Sequence, residues 1–269
     1  MRTGRAQFGA LLAGASLAAW AIAVGCSSFT DSAETPADAA AAADGGDAAL
    51  EATAPDAAEA ASPMGFCATS DAGYCTDFDD GLIAGRGWTT MVTDGGSLSL
   101  VPSEVSPPNA LSALLVPASE DAGTGAYLVA NPGAALTTGA TLEMDVRIDE
   151  EPAGGFNSIA VIAFDFDTEV VTLNVAGGKL LLLIVDPSAG DAGVAAFPVS
   201  HPAGWFHLKL DTSFLIGGTH LFVNGALVVD TPVCLTQPLA GYVASAGPSA
   251  DGPGRLRVTY DNVTLRQRY

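Results

Sequence analysis

Apolar and polar residues alternate with a period of two over much of the chain. In TLEMDVRID (141–149), Leu142, Met144, Val146 and Ile148 interleave with Glu143, Asp145, Arg147 and Asp149. That is the pattern of a strand with one buried and one wet face. Short apolar or alternating runs recur between Gly, Pro, Asp and Asn: WTTMV, SLSLV, ALSALLV, AYLVA, SIAVIAFDF, VVTLNV, KLLLLIV, WFHLKLD, THLFV, ALVVD, YVASA and RLRVTYDNVTL. Helical periodicity is nearly absent. HLFVNGALVV places Asn224-Gly225 between two strand-like runs, a hairpin signal, because both residues tolerate positive φ. With about a dozen strands and almost no helix, apolar surface is buried only by laying sheet on sheet, so the pattern predicts an all-β, two-sheet antiparallel sandwich.

The first 64 residues break this pattern. Arg2 and Arg5 precede an uncharged apolar run from Phe8 to Val24, followed by Gly25-Cys26. This is the layout of a secretory signal over residues 1–25, and the run is short for a membrane span of about 20 residues. Ala23-Val24-Gly25-Cys26 resembles the lipobox of bacterial lipoproteins, with alanine at the usual leucine position. The resemblance implies lipidation at Cys26, export, and anchoring in a bacterial membrane, the outer membrane being the expected one, with the periplasmic or surface side left open. Each buried methylene of such an anchor contributes about 0.8 kcal/mol, so more than one acyl chain tethers the protein stably. Residues 27–64 have no Lys or Arg, many Ala, and acids scattered among Pro and Gly. Together with Cys26 they read as a disordered Ala/Asp/Pro-rich linker over 26–64, lifting a domain of residues 65–269 off the membrane.

Charge narrows the class of partner. The chain carries −20; setting aside Arg2, Arg5 and the eight linker acids leaves 8 basic against 22 acidic residues, a net −14 for the domain. That sign argues against nucleic acid and against docking on anionic lipid head groups. Cys67, Cys75 and Cys234 accompany Cys26 in a chain read as exported to an oxidising compartment. The sequence-local pair Cys67 and Cys75 is the chosen disulfide, with Cys234 left over, although pairing of Cys234 with either stays open. The three histidines, His201, His207 and His220, show no zinc-ligand spacing with each other or with the cysteines.

Sugar rings stack on exposed aromatic rings, and WFHLKLD puts Trp205, His207, Lys209 and Asp211 on one face. With Glu143 and Asp145 of the neighbouring pattern, Trp205, His207 and Lys209 are the candidate glycan-contacting residues. The competing reading makes Trp205, like Trp88 and Tyr242, a plug at a sandwich edge. No phosphate-binding Gly loop, Gly-x-Ser-x-Gly elbow or His-Glu-x-x-His helix is present.

CTDFDDG near the domain's start, TLEMDVRID, AGWFHLKLD running into HLFVNGALV, and the closing VTYDNVTL together resemble the concanavalin A-like lectin/glucanase superfamily, in particular its laminin-G-like jelly rolls. The resemblance covers most of residues 75–269. It implies two curved antiparallel sheets, paired chain ends, and a glycan or protein ligand in many members. Paired ends would bring Asp79 and Asp80 toward Asp261, an oxygen set suited to a structural Ca²⁺; no cofactor is otherwise required.

In β-glucanases of that superfamily the catalytic strand reads Glu-x-Asp followed by a second Glu two or three residues later. Glu143 and Asp145 match the first two positions, but Arg147 and Ile148 occupy the candidate third. A retaining mechanism needs one carboxyl to attack and another to protonate the leaving oxygen, and arginine serves neither. The expectation is therefore no catalytic residue and a non-enzymatic, membrane-tethered module that binds an envelope glycan. An adhesion or structural protein contacting another envelope protein is the alternative, and a glycoside hydrolase using Glu143 and Asp145 the least favoured.

Overall fold

A computed structural model describes residues 65–116, 124–133, 137–152, 157–164, 169–185, 194–214, 217–233, 241–250 and 254–269. The leader, Cys26, the linker and Cys234 lie outside them. A single helical turn, α1 (Phe66–Thr69), precedes fifteen strands: β1 (Tyr74–Thr76), β2 (Thr89–Val92), β3 (Gly96–Pro102), β4 (Asn109–Leu115), β5 (Thr124–Ala130), β6 (Gly139–Glu150), β7 (Asn157–Phe164), β8 (Glu169–Ala176), β9 (Lys179–Val185), β10 (Val194–Ser200), β11 (Trp205–Ser213), β12 (Thr219–Val223), β13 (Ala226–Thr231), β14 (Val243–Ala250) and β15 (Leu256–Arg268).

They form two antiparallel sheets. One has the order β13-β12-β11-β6-β15-β4-β3, with β1 also paired to β15, and the other β10-β9-β8-β7-β14-β5-β2. The alternation of β6 is realised as expected: Leu142, Met144 and Val146 are buried, and the polar residues between them face outward. Asn224 and Gly225 turn β12 into β13 with φ of 51° and 77°. Between the sheets Leu142, Met144, Val146, Phe206 and Leu208 meet Ile162, Leu173, Leu182 and Ala244 in one continuous core. The buried Tyr260 hydroxyl crosses it to donate to the Ile159 carbonyl at 3.1 Å.

Two strands escape the sequence pattern. β1 has only three residues, too few to alternate. β10 (VAAFPVS) carries Pro198, which has no N–H for a ladder and so fits an edge strand, where β10 lies.

The first and last described strands are joined. Tyr74–Thr76 pair with Leu265–Val263, while residues 256–260 of the same strand pair with β4. β15 thus changes partner just at Asp261, where a bulge with Asn262 at φ 51° also shifts its register against β6. Cys67 and Cys75 are disulfide-bonded. Asp77 accepts the Cys67 N–H at 2.7 Å, and Arg86 donates to the carbonyls of Cys67 and Ala72, so α1 is strapped to β1.

Candidate functional site

The central outward row of the eight-stranded sheet assembles the residues singled out from WFHLKLD and TLEMDVRID. Trp205 lies beside Arg147, His207 beside Asp145 and Lys209 beside Glu143, and Asp145 in turn faces Asp261 of β15. These groups are matched to one another. Lys209 Nζ is 3.5 Å and Arg266 3.9 Å from the Glu143 carboxylate. Asp145 contacts His207 Nδ1 at 2.9 Å through one oxygen and accepts from Asn262 Nδ2 at 2.8 Å through the other. The Arg147 guanidinium sits 5.0 Å from the centre of the Trp205 ring, while its Nε donates to Asp149 at 2.7 Å. The hydrogen bond to Asp145 holds the His207 pKa above its ordinary value against the opposing effect of burial.

Two consequences follow for chemistry. Glu143 and Asp145, the carboxylates that match a glucanase strand, are both engaged by cations or donors. Trp205 has Arg147 over its ring. Trp88 and Tyr242 are buried, at 4% and 3% exposure, as the edge-plug reading requires.

Where these first and last strands join, the predicted Asp79, Asp80 and Asp261 do not point to one centre. Asp80 is exposed and accepts the Leu82 N–H at 2.9 Å. Asp261 is fully buried. Its Oδ2 accepts from the Ser103 hydroxyl at 2.5 Å and its Oδ1 from the Asn262 N–H at 2.8 Å. Its pKa is raised to about 7, by burial first and also by the charges of Asp79 and Asp145, against the lowering effect of the Ser103 and Asn262 donors. Asp79 is raised as well, by burial and then by the neighbouring Asp77. Among the described residues no three His, Cys, Asp or Glu side chains are grouped to hold a metal ion.

The other sheet has a face that the sequence reading missed. Leu173, Leu182, Ala244 and Leu128 point inward, so their neighbours Asn174, Leu181, Ser245 and Tyr127 point outward. The register brings Asn174 opposite Ser158, Ser158 opposite Ser249, and Ser249 opposite Gly125, one row crossing β8, β7, β14 and β5. The next row runs Thr172, Val161, Ser245, Val129 and Thr89.

Although these side chains point away from the core, Asn174, Ser158 and Ser245 are only 6 to 9% exposed, whereas Met91 on the edge strand is 50% exposed. The row is thus shielded at its centre and open at the β2 rim, and this shielded row is termed the trough. Its floor carries neutral hydrogen-bonding groups, with Asn174 Nδ2 donating to Thr172 Oγ1 at 2.8 Å. On one side the Tyr127 ring lies across Gly125, where an added Cβ would come within 2.3 Å of the ring. Burial raises the Tyr127 pKa, so its hydroxyl stays protonated; it donates to Met91 Sδ at 3.2 Å. The sequence signal for this face is the near absence of charge across seven strands, in which Glu169 and Lys179, each at a strand's first residue, are the charged residues.

No protein-family model and no curated protein matches the chain. Solved structures do match its fold. An alginate lyase of polysaccharide lyase family 7, A1-II′, crystallised as a variant with substrate, superposes with a TM-score of 0.52 at 12% identity, covering 68% of this chain and 93% of that one. A carbohydrate esterase from the Shiga toxin-encoding bacteriophage phi24B gives 0.51 at 10% identity, over 74% and 99%. The binding domain of botulinum neurotoxin DC, in complex with rat synaptotagmin II, gives 0.52 at 10% identity; the match covers 73% of this chain and about half, 48%, of that one. The architecture is therefore a two-sheet antiparallel jelly-roll sandwich, the fold that these structures share.

Proposed function

We propose that this chain is an exported, lipid-anchored protein that presents a non-catalytic jelly-roll domain to a glycan of the cell envelope. The observation that carries the reading is the trough on the seven-stranded sheet. It combines neutral hydrogen-bonding side chains with an aromatic ring, Tyr127, at one side, two features that suit polyhydroxylated rings. Neighbours of the same fold that act on or bind carbohydrate, the alginate lyase and the esterase, lend the reading support by analogy of architecture only.

The absence of catalysis is supported by Glu143 and Asp145. Hydrolysis by a carboxyl pair needs one group to attack and a second to protonate the leaving oxygen, and beyond Glu143 and Asp145 the positions for that second acid hold Arg147 and Ile148. Cys26 and the linker would supply the tether; among the described residues no helix is long and apolar enough to cross a membrane. Binding of the full chain to a polysaccharide panel, with Ca²⁺ and with a chelator, tests the proposal when reducing-sugar release is followed in the same wells. Binding without release is expected, and release abolished by Glu143→Gln would replace the reading with a hydrolase.

A second reading rests on apolar residues exposed at two sheet edges. Met91 and Val92 on β2, and Leu227 and Val228 on β13, are between 37% and 50% exposed. Edge strands with unpaired backbone groups are places where another protein chain can add. The neurotoxin domain of like fold is one that engages a protein. Lack of binding to any glycan, together with loss of a protein partner on Met91→Asp, would favour this envelope-contact role.

A further inference from the structure

From the distribution of charge we infer that the trough takes an uncharged glycan and excludes uronate, sialate and amino-sugar polymers. The inference rests on the glycan reading above and adds the ligand's charge class. Of the described side chains on the outward face of the seven-stranded sheet, Lys179 alone is charged, and it lies exposed at the turn into β9. The other sheet holds the opposite character, with Glu143, Asp145, Arg147, Lys209, Asp211 and Arg266 on its outward face.

Recognition of a polyanion needs cations placed on the ligand's path, and the cations of the other face are already paired with carboxylates there. Arg147 contacts Asp149, Lys209 and Arg266 contact Glu143, and Arg268 contacts Asp211. A carboxylated polymer entering the trough would meet no counter-charge among the described residues beyond Lys179 at its end, and would carry its charge into the field of a domain with net −14, the whole-chain −20 less the leader and linker. A polyamine would be drawn to the acidic molecule but would find no carboxylate among the described side chains of the floor to receive a desolvated ammonium. A neutral polyol suffers neither penalty. Its hydroxyls can exchange hydrogen bonds with Asn174, Thr172, Ser158 and Ser245, and its C–H faces can lie on the Tyr127 ring and Val161. The row from Asn174 to Gly125 spans three strand spacings, roughly 14 Å, so the floor accommodates a length of polymer rather than one sugar.

The test titrates the full chain with a neutral β-glucan, a neutral xylan, alginate and chitosan, each at low and high salt. At least one neutral polymer should be retained with the same affinity at both salts, and alginate and chitosan should not be retained. Asn174→Ala and Tyr127→Ala should each weaken retention by about tenfold, one hydrogen bond or stacking contact's worth. The wild-type salt comparison requires no variant and so stands even where a substitution fails to fold. Retention of alginate or chitosan, or affinity that falls with salt, would overturn the inference and leave the glycan reading in place. Loss of binding in Lys209→Ala with Asn174→Ala unaffected would do the same and move the ligand to the other sheet. No retention of any polymer would overturn both.

Discussion

Asp261 should make this domain less stable as pH rises from about 5 to 7, against the usual trend for a carboxylate. Its folded pKa of about 7 lies well above the ordinary value of 3.8. Between those values the unfolded chain has released the proton that the native state keeps, so the native state binds more protons and stability falls with rising pH. A tenfold change in proton affinity is worth about 1.4 kcal/mol, which puts the ceiling at about 4 kcal/mol. The side chain is fully buried, but the Asp79 and Asp145 charges that help raise it relax on titration, so roughly 2 kcal/mol is the expected loss.

Asp261→Asn isolates the effect. Asparagine keeps an oxygen for the Asn262 N–H and cannot ionise, so the slope between pH 5 and 7 should flatten. Above pH 7 the variant should be as stable as the native protein or more so, by up to about 2 kcal/mol. The opposing risk is local: Ser103 Oγ already accepts N–H groups from Val105 and Ser106 and donates to Asp261, and an amide nitrogen in place of Oδ2 would leave that hydroxyl proton without its acceptor. The two amide orientations resolve this differently, and either way the resulting cost is independent of pH. Urea unfolding midpoints at pH 5, 6, 7 and 8 read the slope directly. An unchanged slope in the variant, or wild-type stability that climbs from pH 5 to 7, would refute the reasoning.

Other predictions concern separate parts of the fold. His207, raised by its bond to Asp145, contributes stability that is fully present below its unfolded pKa of about 6.5 and is lost as pH rises through the higher folded value; imidazole NMR titration should show the raised pKa, and Asp145→Asn should lower it. Opening the Cys67–Cys75 bridge in a Cys67→Ser/Cys75→Ser double variant should cost about 2.5 kcal/mol by loop entropy, read as a lower urea midpoint. Tyr260→Phe deletes the hydroxyl that satisfies the Ile159 carbonyl across the core and should cost about 1 to 2 kcal/mol at unchanged fold.

How much of this was legible depends on whether the signal is local. The wet and dry faces of β6 follow from alternation alone, and the β12–β13 hairpin follows from Asn224-Gly225, because both features are set by residues next to each other in sequence. Asp261 shows the limit. In VTYDNVTL, Val258 and Tyr260 point inward, so plain alternation makes Asp261 an outward and wet residue. The bulge at Asn262 then shifts the parity, so that Val263 and Leu265 also face the core. Asp261 is buried because Ser103, 158 residues earlier, closes over it. No window of sequence holds that contact. The trough is hidden for a related reason: its polar residues are scattered one or two to a run, as in SIAVIAFDF and VVTLNV, and only the register between β8, β7, β14 and β5 lines them up in rows.

A sheet whose described outer face carries a single charge, Lys179, raises the question of what keeps copies of the molecule apart. Local devices are modest: Pro198 removes one N–H from the β10 edge, and β2 at the other edge has only four residues. The stronger protection is at a distance, in the acidic surplus of the linker and of the domain, which repels a like-charged copy before the neutral faces can meet. That protection depends on charge and therefore on conditions. High salt at neutral pH shortens its reach to a few ångströms, about 3 Å at 1 M. The full chain should then self-associate, and Thr172→Lys, which places a charge in the trough, should prevent it. Light scattering across a salt series measures this. A chain that stays monomeric at high salt would mean that the trough, too narrow to receive a second sheet, needs no such guard. A chain that associates identically with and without the added lysine would place the contact at the β2 or β13 edge, and would strengthen the case for a protein rather than a glycan as the domain's partner.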